Sequence, residues 1–520
     1  MTGGWLRPPP PATFLESRAM RLADLSDALP EGAARIAGGA SRGEISDVTF
    51  DSREAGPGTL FFCVRGSTAD GHDFAPSVVA AGAVALVVER ELDVDVPQLV
   101  VPDSRAAMGP IAARWFGDPS AELRMVGVTG TNGKTTTAFL VRSILEHAGI
   151  RCGLLGTVKR VVGGRSEPVE RTTPEAIDLQ RTFRRMVDAG DRACVMEVSS
   201  HALSLGRADS IHFDAAAFTN LTQDHLDFHA DMEDYFAAKR LLFVPDEQGL
   251  IPGAAIVNVD DGFGERLVAD LRRIGRPRLT TFSAAGHRAD LIADDVGFDP
   301  AGGRFTLHGR GEPRPVRLRL PGHFNVENAL AALGSVLAIG IDLDEAIAGL
   351  AAADPVPGRM EPIDAGQDFG VLVDYAHTPD SLENVLRAAR RLADGELICV
   401  FGCGGDRDPL KRPLMGRVGA ELANLAVITS DNPRSEDPAA IIAQVFEGVA
   451  AERRECTVVE PDRRAAIALA LRTAKPGDLV VIAGKGHEQG QEFENGRKIP
   501  FDDREVAREE LRRPAVGGGA

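Results

Sequence analysis

A glycine-rich segment near residue 130 has the composition of a phosphate-binding loop. Residues 125–129 read as a buried strand, and Thr137 to His147 has helical periodicity. Between a strand and a helix, glycines let backbone N–H groups approach a phosphate, and the helix start favours an anion. We predict that Lys134 reaches the β- and γ-phosphates of ATP and that the Thr135 hydroxyl binds Mg²⁺. The predicted loop is Gly130, Thr131, Asn132, Gly133, Lys134, Thr135 and Thr136.

The loop departs at one position from the pattern G-x-x-x-x-G-K-[ST], because Val128 stands where that pattern has glycine. The alternative interpretation is a glycine-rich turn before an ordinary helix. Gly133-Lys134-Thr135 lies between a predicted strand and a predicted helix, and this context favours the nucleotide loop.

Four further side chains are candidates whose roles must be weighed against ordinary structural ones. Glu197 follows the hydrophobic run 193–196, so its carboxylate could face a phosphate-bound Mg²⁺; the alternative is a surface carboxylate at a strand end. His225 and His229 have the i, i+4 spacing of a zinc pair, but no third His or Cys lies nearby, and a capping or core role stays open. From the residues alone, Lys239 is a solvated lysine in a helical run.

The strands and helices that must position these residues follow the pattern of α/β domains. Short β-branched runs alternate with helical stretches, which is typical of largely parallel sheets. At roughly 150 residues per domain, 520 residues indicate about three domains, and the turn-rich stretch 354–358 marks one boundary. The predicted segments are a flexible extension (1–20), a first domain (21–122), a central nucleotide domain (123–355), a C-terminal domain (356–511) and a flexible tail (512–520).

Composition limits the function classes. A formal net charge of −18 disfavours general binding to nucleic acids or anionic membranes. The six cysteines form no CxxC pair, which is typical of reduced thiols in a reducing compartment. The first 20 residues lack the apolar core of a signal peptide, and no run approaches the ~20 apolar residues of a membrane helix. We expect a cytoplasmic monomer without membrane insertion.

Seven motifs in order resemble those of the Mur ligases and their folylpolyglutamate synthase relatives, over about residues 45 to 505. The resemblance implies an α/β fold with the three-domain Mur ligase architecture. Its first domain would bind a UDP-linked substrate, its central domain would be a P-loop ATPase, and its C-terminal domain would be Rossmann-like and bind an amino acid. The motifs lie at 130–135, 196–201, 220–227, 237–239, 322–328, 374–379 and 431–434.

The implied reaction is the ATP-dependent addition of meso-2,6-diaminopimelate to UDP-N-acetylmuramoyl-L-alanyl-D-glutamate, through an acyl phosphate, in peptidoglycan precursor synthesis. An L-lysine-adding Mur ligase and a folylpolyglutamate synthase-like ligase are the alternatives, and the UDP-domain-like first block disfavours the latter. A nucleotide-binding scaffold without catalysis is a third hypothesis. It is disfavoured because the four residues with implied catalytic roles are present, namely Lys134, Glu197, His225 and Lys239.

The resemblance also implies roles around the nucleotide. Thr135, Glu197, His225 and a carbamylated Lys239 would be the metal ligands. Carbamylation requires a neutral amine, so the environment of Lys239 must lower its pKa. Nucleotide contacts outside the loop would come from Asn325, Asn328, Arg359 and Asp374.

The UDP-linked substrate would be held by two groups of residues. As bare sequence, the first of these groups lies in ordinary loops. The first group, in the first domain, is Phe50, Ser52, Ser67, Thr68 and Ala69. The second, in the central domain, is Thr172, Thr173, Ser199 and Arg207.

The amino-acid site is predicted where four strands of the third block end in polar loops. In a parallel sheet all four loops lie at one edge, where α/β ligand sites form. The loop at 402–408 lacks the third-glycine spacing of G-x-G-x-x-G, which disfavours NAD binding. The implied diaminopimelate residues are Arg407, Asp431, Asn432, Pro433, Arg434, Gly484 and Glu488.

Arg434 is the predicted determinant of amino-acid choice. It could pair in bidentate fashion with the distal carboxylate of diaminopimelate, while Glu488 takes the distal ammonium and Arg407 adds positive charge. Lysine lacks that carboxylate, so we expect it to leave Arg434 desolvated and unpaired. The alternative is a surface turn shaped by Pro433, with Arg434 in solvent.

Overall fold

The structure is a computed structural model that describes residues 18–39, 43–66, 69–169, 171–245, 249–299 and 302–513. Most of the predicted extension (1–20) and tail (512–520) lies outside these residues, as do Ser67 and Thr68 of the predicted substrate loop. Within the described part of the chain, no helix combines the length and apolarity needed to cross a membrane. All six cysteines are free thiols, and five of them are buried.

The first α/β unit is built on a five-stranded sheet. Its strands are β1 (Arg35–Gly38), β2 (Asp47–Thr49), β3 (Thr59–Phe62), β4 (Ala85–Val88) and β5 (Pro97–Val100). Its helices are α1 (Leu22–Ser26), α2 (Ala75–Ala81) and α3 (Met108–Phe116). The sheet order is β1-β5-β4-β3-β2, with β1 antiparallel and the other strands parallel. Strands β3 and β4 are buried along their whole length, as their largely apolar composition predicts.

The second unit holds an eleven-stranded sheet. Its strands are β6 (Arg124–Thr129), β7 (Cys152–Leu155), β8 (Arg160–Val162), β9 (Arg165–Glu167), β10 (Ala193–Glu197), β11 (Ala215–Phe218), β12 (Ala254–Asn258), β13 (Arg278–Ser283), β14 (Leu291–Asp299), β15 (Gly302–His308) and β16 (Arg314–Leu318). Its helices are α4 (Lys134–His147), α5 (Ala176–Asp188), α6 (Ser200–Ser204), α7 (Met232–Arg240), α8 (Gly262–Ile274), α9 (His323–Ala338) and α10 (Leu343–Ala351).

The order of this sheet is β16-β15-β14-β13-β12-β11-β6-β10-β7-β8-β9. The neighbouring strands β14, β13, β12, β11, β6, β10 and β7 are parallel to one another. Antiparallel strands extend the sheet at both ends. Strand β6 lies between β10 and β11, so the chain leaves it in one direction and later returns on its other side. Ligands of open α/β sheets bind at such a switch point, beyond the carboxyl ends of the strands.

The third unit holds a six-stranded sheet and a separate hairpin. Its strands are β17 (Glu361–Pro362), β18 (Gly370–Asp374), β19 (Leu397–Phe401), β20 (Leu425–Ile428), β21 (Thr457–Val459), β22 (Leu479–Ala483), β23 (Gly490–Glu492) and β24 (Lys498–Pro500). Its helices are α11 (Pro379–Arg390), α12 (Lys411–Leu422), α13 (Pro438–Glu447), α14 (Arg463–Thr473) and α15 (Asp503–Arg512).

The sheet order in the third unit is β17-β18-β22-β19-β20-β21, and all strands except β17 are parallel. The four strands that were predicted to present polar loops at one edge are therefore neighbours in one parallel sheet. The predicted α/β architecture of three units is confirmed. The domain limits at 122/123 and 355/356 stay a prediction.

Candidate active site

The phosphate loop follows β6 at the switch point of the central sheet. Gly133 has a φ of +85°, and a Cβ there would lie 2.2 Å from Asn328 Oδ1, so this position requires glycine. Lys134 begins helix α4, and its Nζ donates to the carbonyl oxygens of Gly130 at 2.9 Å and Thr131 at 2.8 Å. The ammonium of Lys134 thus lies over the loop at the N-terminus of a fourteen-residue helix, where an anion is favoured.

A buried pair of oxygen ligands lies beside the loop. The Thr135 hydroxyl donates to Glu197 Oε2 at 3.0 Å, and Glu197 is 1% exposed. Thr157 donates its N–H to Glu197 Oε1 at 2.8 Å and its hydroxyl to Oε2 at 3.1 Å. A hydroxyl and a carboxylate suit Mg²⁺, which completes its octahedron with phosphate oxygens and water. Among the described residues no three His, Cys, Asp or Glu side chains form a metal cluster, and such a Mg²⁺ site needs none.

Lys239 lies inside the site, not in solvent as the bare sequence indicated. Its Nζ donates to Gly130 O at 2.8 Å and lies 4.5 Å from the centroid of the Tyr235 ring. Burial, with a contribution from the nearby Lys134 cation, holds the pKa of Lys239 well below its ordinary value. Such a lysine supplies the neutral amine that carbamylation requires. Tyr235 also places its hydroxyl 3.2 Å from Thr131 Oγ1, so it connects helix α7 to the phosphate loop.

His225 and His229 have different environments. His225 has a φ of +55° and lines the same cavity as the loop, and burial lowers its pKa, which favours a neutral ring. His229 is 2% exposed, with Nε2 2.9 Å from Ser200 Oγ and Nδ1 3.2 Å from Asp234 Oδ2. Both ring nitrogens of His229 therefore have protein partners, which disfavours the zinc-pair interpretation.

The four central-domain residues predicted to bind the UDP-linked substrate converge. Thr173 Oγ1 donates to Glu197 O at 2.9 Å and accepts from the Ser199 N–H at 3.2 Å. Arg207 donates to Thr173 O at 3.1 Å, and the hydroxyls of Thr172 and Thr157 lie 3.1 Å apart. Hydrogen bonds thus run from the predicted substrate residues through Thr157 and Glu197 to the phosphate loop. Sequence reasoning missed Thr157, for which no local motif gave a signal.

One cavity of about 960 Å³ joins these groups. Its lining includes phosphate-loop residues, the metal-ligand candidates and residues of the C-terminal unit. The predicted first-domain residues Phe50, Ser52 and Ala69 are outside its described lining, so their role stays a prediction. The predicted site residues that do line it are Thr131, Asn132, Gly133, Lys134, Thr135, Thr136, Thr172, Thr173, Glu197, Ser199, Arg207, His225, Lys239, Asn328, Arg359, Asp374 and Arg407.

Two side chains of the C-terminal unit reach across to the phosphate loop. Arg359 donates to Thr135 Oγ1 at 3.2 Å. Asp380 Oδ2 accepts from Asn132 Nδ2 at 2.8 Å and from Thr222 Oγ1 at 3.2 Å. Asp380 was not predicted, although the helix-start signal Thr378-Pro379 placed it in the first turn of a helix.

The remaining predicted nucleotide residues have hydrogen-bond partners within the chain. Asn325 Nδ2 donates to Pro321 O at 2.7 Å, and Asn328 Nδ2 donates to Asn325 Oδ1 at 3.1 Å. Asp374 accepts two backbone N–H bonds, from Met360 and from Ala376. Burial raises the pKa of Asp374, and the nearby Arg359 cation opposes the shift.

The amino-acid loops meet at the edge of the C-terminal sheet around a buried lysine. Lys485 Nζ donates to Asn432 Oδ1 and to Glu488 Oε2, both at 2.8 Å. Asn432 Nδ2 also donates to Glu488 Oε2 at 2.8 Å. Glu488, which was predicted to take an ammonium from the substrate, thus already has a cationic partner in the chain. Sequence reasoning did not single out Lys485, although it lies two residues after the end of strand β22.

Asp431 has one buried carboxylate oxygen, Oδ2, that lacks a hydrogen-bond partner. A Cβ at Gly484 would lie 2.6 Å from this oxygen, so the glycine leaves room beside it. Burial opposes ionisation, but the Lys485 and Arg463 cations outweigh it and hold the pKa of Asp431 below its ordinary value. Arg463 is itself fixed by a fully buried ion pair with Asp503, at 2.7 Å. Asp431 therefore offers an ionised oxygen to a cationic ligand.

Arg434 is partly buried and has partners within the chain. It has a φ of +51°, and its Nη1 donates to Gly405 O at 2.7 Å. Its Nε donates to Glu492 Oε2 at 3.3 Å. The expectation about lysine stays a prediction, but in this structure Glu492 already supplies a carboxylate to Arg434. Arg407 is exposed at the cavity and donates to Asp406 O at 2.8 Å.

This geometry agrees with what comparison with known proteins finds. Three family descriptions match the chain: "Mur ligase family, catalytic domain" at residues 44–116, "Mur ligase middle domain" at 128–336 and "Mur ligase, glutamate ligase domain" at 358–486. The chain therefore belongs to the Mur ligase family and is an amide-forming ligase.

The chain is similar along almost its whole length to proteins named UDP-N-acetylmuramoyl-L-alanyl-D-glutamate–2,6-diaminopimelate ligase. The relative from Geobacillus kaustophilus is 47% identical over 89% of this chain and 94% of its own. The relative from Streptomyces coelicolor is 46% identical over 97% of this chain and 98% of its own. A solved structure with the same name is 33% identical, with a TM-score of 0.67 over 94% of this chain and 98% of that one.

A more distant solved structure is a folylpolyglutamate synthase from Mycobacterium tuberculosis complexed with ADP and AMPPCP. It is 19% identical, with a TM-score of 0.60 over 79% of this chain and 96% of that one. At that identity the likeness concerns the fold alone.

Proposed function

We propose that this chain is the ATP-dependent ligase that adds meso-2,6-diaminopimelate to UDP-N-acetylmuramoyl-L-alanyl-D-glutamate in cytoplasmic peptidoglycan precursor synthesis. The observation that carries the proposal is the single cavity that joins the phosphate loop, the predicted muramoyl-peptide residues and Arg407 of the amino-acid loops. Relatives at 46–47% identity carry the name of this activity.

The first step transfers the γ-phosphoryl group of ATP to the γ-carboxylate of D-glutamate, which forms an acyl phosphate and releases ADP. Lys134 and the loop N–H groups would hold the terminal phosphates, and Thr135 with Glu197 would hold Mg²⁺. Mg²⁺, when bound, neutralises charge on the transferring group. Arg207, whose guanidinium borders the cavity, binds the substrate peptide so that its carboxylate faces the phosphate. Positioning and charge neutralisation supply most of the rate.

The second step forms the amide. The free amine of diaminopimelate attacks the acyl carbon, the C–N bond forms, the bond to the phosphate oxygen breaks, and the amine loses a proton. Arg434 pairs with the distal carboxylate. Asp431, whose Oδ2 has no hydrogen-bond partner and lies 4.0 Å from Arg463 Nη1, takes the distal ammonium. Glu488 stays paired with Lys485 and keeps Asn432 in place.

Lys239 and His225 complete the metal environment in this proposal. The low pKa of Lys239 supports a carbamate at that position, and a carbamate would convert a cation beside the phosphates into an anion that binds Mg²⁺. His225, with its neutral ring, is the proposed ligand of a second Mg²⁺.

L-Lysine is the second candidate for the amino acid. The observation that favours it is the Arg434–Glu492 pair, which neutralises Arg434 when no substrate carboxylate is present. The folylpolyglutamate alternative has less support, because the match at residues 44–116 extends the likeness to Mur ligases into the first domain.

The test is phosphate release by the purified full-length chain with ATP and Mg²⁺. Each UDP-muramoyl precursor is combined with meso-diaminopimelate, L-lysine or D-glutamate, and the product is identified by mass. We expect the fastest release when the UDP-muramoyl dipeptide and diaminopimelate are both present, and slower release when L-lysine replaces diaminopimelate. Efficient turnover with lysine and none with diaminopimelate would establish the second candidate, and release without any UDP precursor would refute both.

A further inference from the structure

We propose that Glu492 is an internal carboxylate that occupies Arg434 in the free site and is exchanged for the distal carboxylate of the amino-acid substrate. Through this exchange Glu492 sets how strongly the site distinguishes diaminopimelate from lysine. The inference rests on the proposed function and identifies a specificity residue outside the predicted amino-acid loops.

The hairpin of β23 and β24 places Glu492 beside the amino-acid site through its backbone. The Glu492 N–H donates to Asn432 Oδ1 at 3.0 Å, and the Arg434 N–H donates to Glu492 O at 3.1 Å. The neighbouring Gln491 Nε2 donates to Asp431 O at 2.6 Å. These three bonds do not involve the Glu492 carboxylate, so the hairpin stays docked when that carboxylate turns away or is neutralised.

The contact between the two side chains is one that a ligand can replace. Between the two side chains, Arg434 Nε donates to Glu492 Oε2 at 3.3 Å, which is long for a charge-assisted hydrogen bond. The side chains are 22% and 32% exposed, and partly exposed ion pairs contribute little net stability. A substrate carboxylate that accepts two parallel N–H bonds from the guanidinium is the stronger partner. The displaced Glu492 carboxylate can then return to water.

The consequence for selectivity follows from charge. Lysine has no distal carboxylate, so with lysine bound Glu492 keeps Arg434 paired and no buried cation is left alone. Diaminopimelate must displace Glu492, so the loss of the Arg434–Glu492 pair offsets part of the free energy gained when diaminopimelate binds Arg434. The Glu492 carboxylate therefore makes the site more tolerant of lysine and weakens the binding of diaminopimelate. The comparison is with a site that has Arg434 but no carboxylate at position 492.

The test compares Glu492→Gln with Glu494→Gln in the full-length chain. Glu494 lies in the turn of the same hairpin and is exposed, so its variant makes the same change in net charge away from Arg434. For Glu492→Gln we expect the KM for diaminopimelate to fall about two- to fivefold, with kcat within twofold. The ratio of kcat/KM for diaminopimelate over lysine should rise by at least the same factor. Glu494→Gln should match wild type.

Two further variants make the experiment decisive. Glu492→Ala should change the same parameters in the same direction, and in an Arg434→Ala background Glu492→Gln should have no effect on KM. An unchanged or higher KM for diaminopimelate in Glu492→Gln would overturn the inference. Failure of the proposed function can be distinguished from failure of this inference, because the wild-type enzyme would then release no phosphate with diaminopimelate.

Discussion

At the scale of single residues, two lysines meet at one carbonyl oxygen. Lys134 and Lys239 both donate to Gly130 O, at 2.9 and 2.8 Å, although they come from different helices. Two ammonium groups this close repel each other, and burial removes the water that would screen them. The chain therefore disfavours the protonated form of Lys239, although its sequence context is that of an ordinary helix lysine.

We predict that Lys239 carries a carbamate in the folded enzyme at neutral pH. Its lowered pKa leaves the amine free to react with CO₂, and unfolding returns that pKa to about 10.4, which releases the group. Carbon-13 NMR of protein equilibrated with labelled bicarbonate should show a carbamate signal that disappears on denaturation. Lys159→Ala should keep the signal, and Lys239→Ala should remove it together with activity. A fully active enzyme without that signal would contradict the prediction.

At the scale of elements, the site is a set of strand–loop–helix junctions. Parallel strands place their carboxyl ends at one edge, so the loops after β6 and β10 meet in the central sheet. The loops after β18, β19, β20 and β22 meet in the same way in the C-terminal sheet. Glycines at the loop bends let neighbouring side chains approach where a Cβ would collide.

Gly133→Ala tests this role at the start of helix α4. The φ of +85° costs an L-residue about 1–2 kcal/mol, and the new Cβ would lie 2.2 Å from Asn328 Oδ1, so the loop must move. We expect the dissociation constant for ATP, measured by calorimetry, to rise at least tenfold. Gly149→Ala is the matched control at the other end of the helix, with a φ of +71° and no atom within 4 Å of the added Cβ. It should lower stability and leave ATP affinity unchanged; equal affinity in both variants would argue against the clash.

At the scale of the whole molecule, the cavity depends on contacts between units. Arg105 of the first unit donates to Glu175 of the second at 2.8 Å, and Glu175 also accepts from Arg207 at 2.7 Å. Asp380 and Arg359 bring the C-terminal unit onto the phosphate loop. We therefore expect nucleotide binding and the placement of the C-terminal unit to be coupled.

Asp380→Ala should loosen that coupling. The substitution removes the carboxylate that accepts hydrogen bonds from Asn132 and Thr222. A hydrogen bond to a charged group contributes at most about 1.5–3 kcal/mol of stabilisation. We expect the KM for ATP to rise roughly tenfold and the radius of gyration from small-angle scattering to increase. Glu383→Ala, on the same helix with a 42% exposed side chain, is the control. Unchanged scattering and an unchanged KM in Asp380→Ala would show that the contact does not hold the units together.

The sequence by itself determined the features that depend on local order. The loop at Gly130–Thr136, the carboxylate of Glu197 at a strand end and the polar loops of the third block were all predictable. Residue spacing and strand direction are enough to place such groups at the carboxyl edge of a parallel sheet. The family followed from motifs in order, and the first-domain substrate residues stay a prediction.

Only the tertiary structure decided which side chains face each other. Asp380 meets Asn132 across 248 positions of the chain, and Glu492 meets Arg434 across 58. Neither contact has a local signal, because each depends on how separate units or a docked hairpin pack. The interpretation of Arg434 changed for this reason. Its charge is encoded in one motif, whereas the carboxylate that balances it lies on a hairpin that folds back beside that motif.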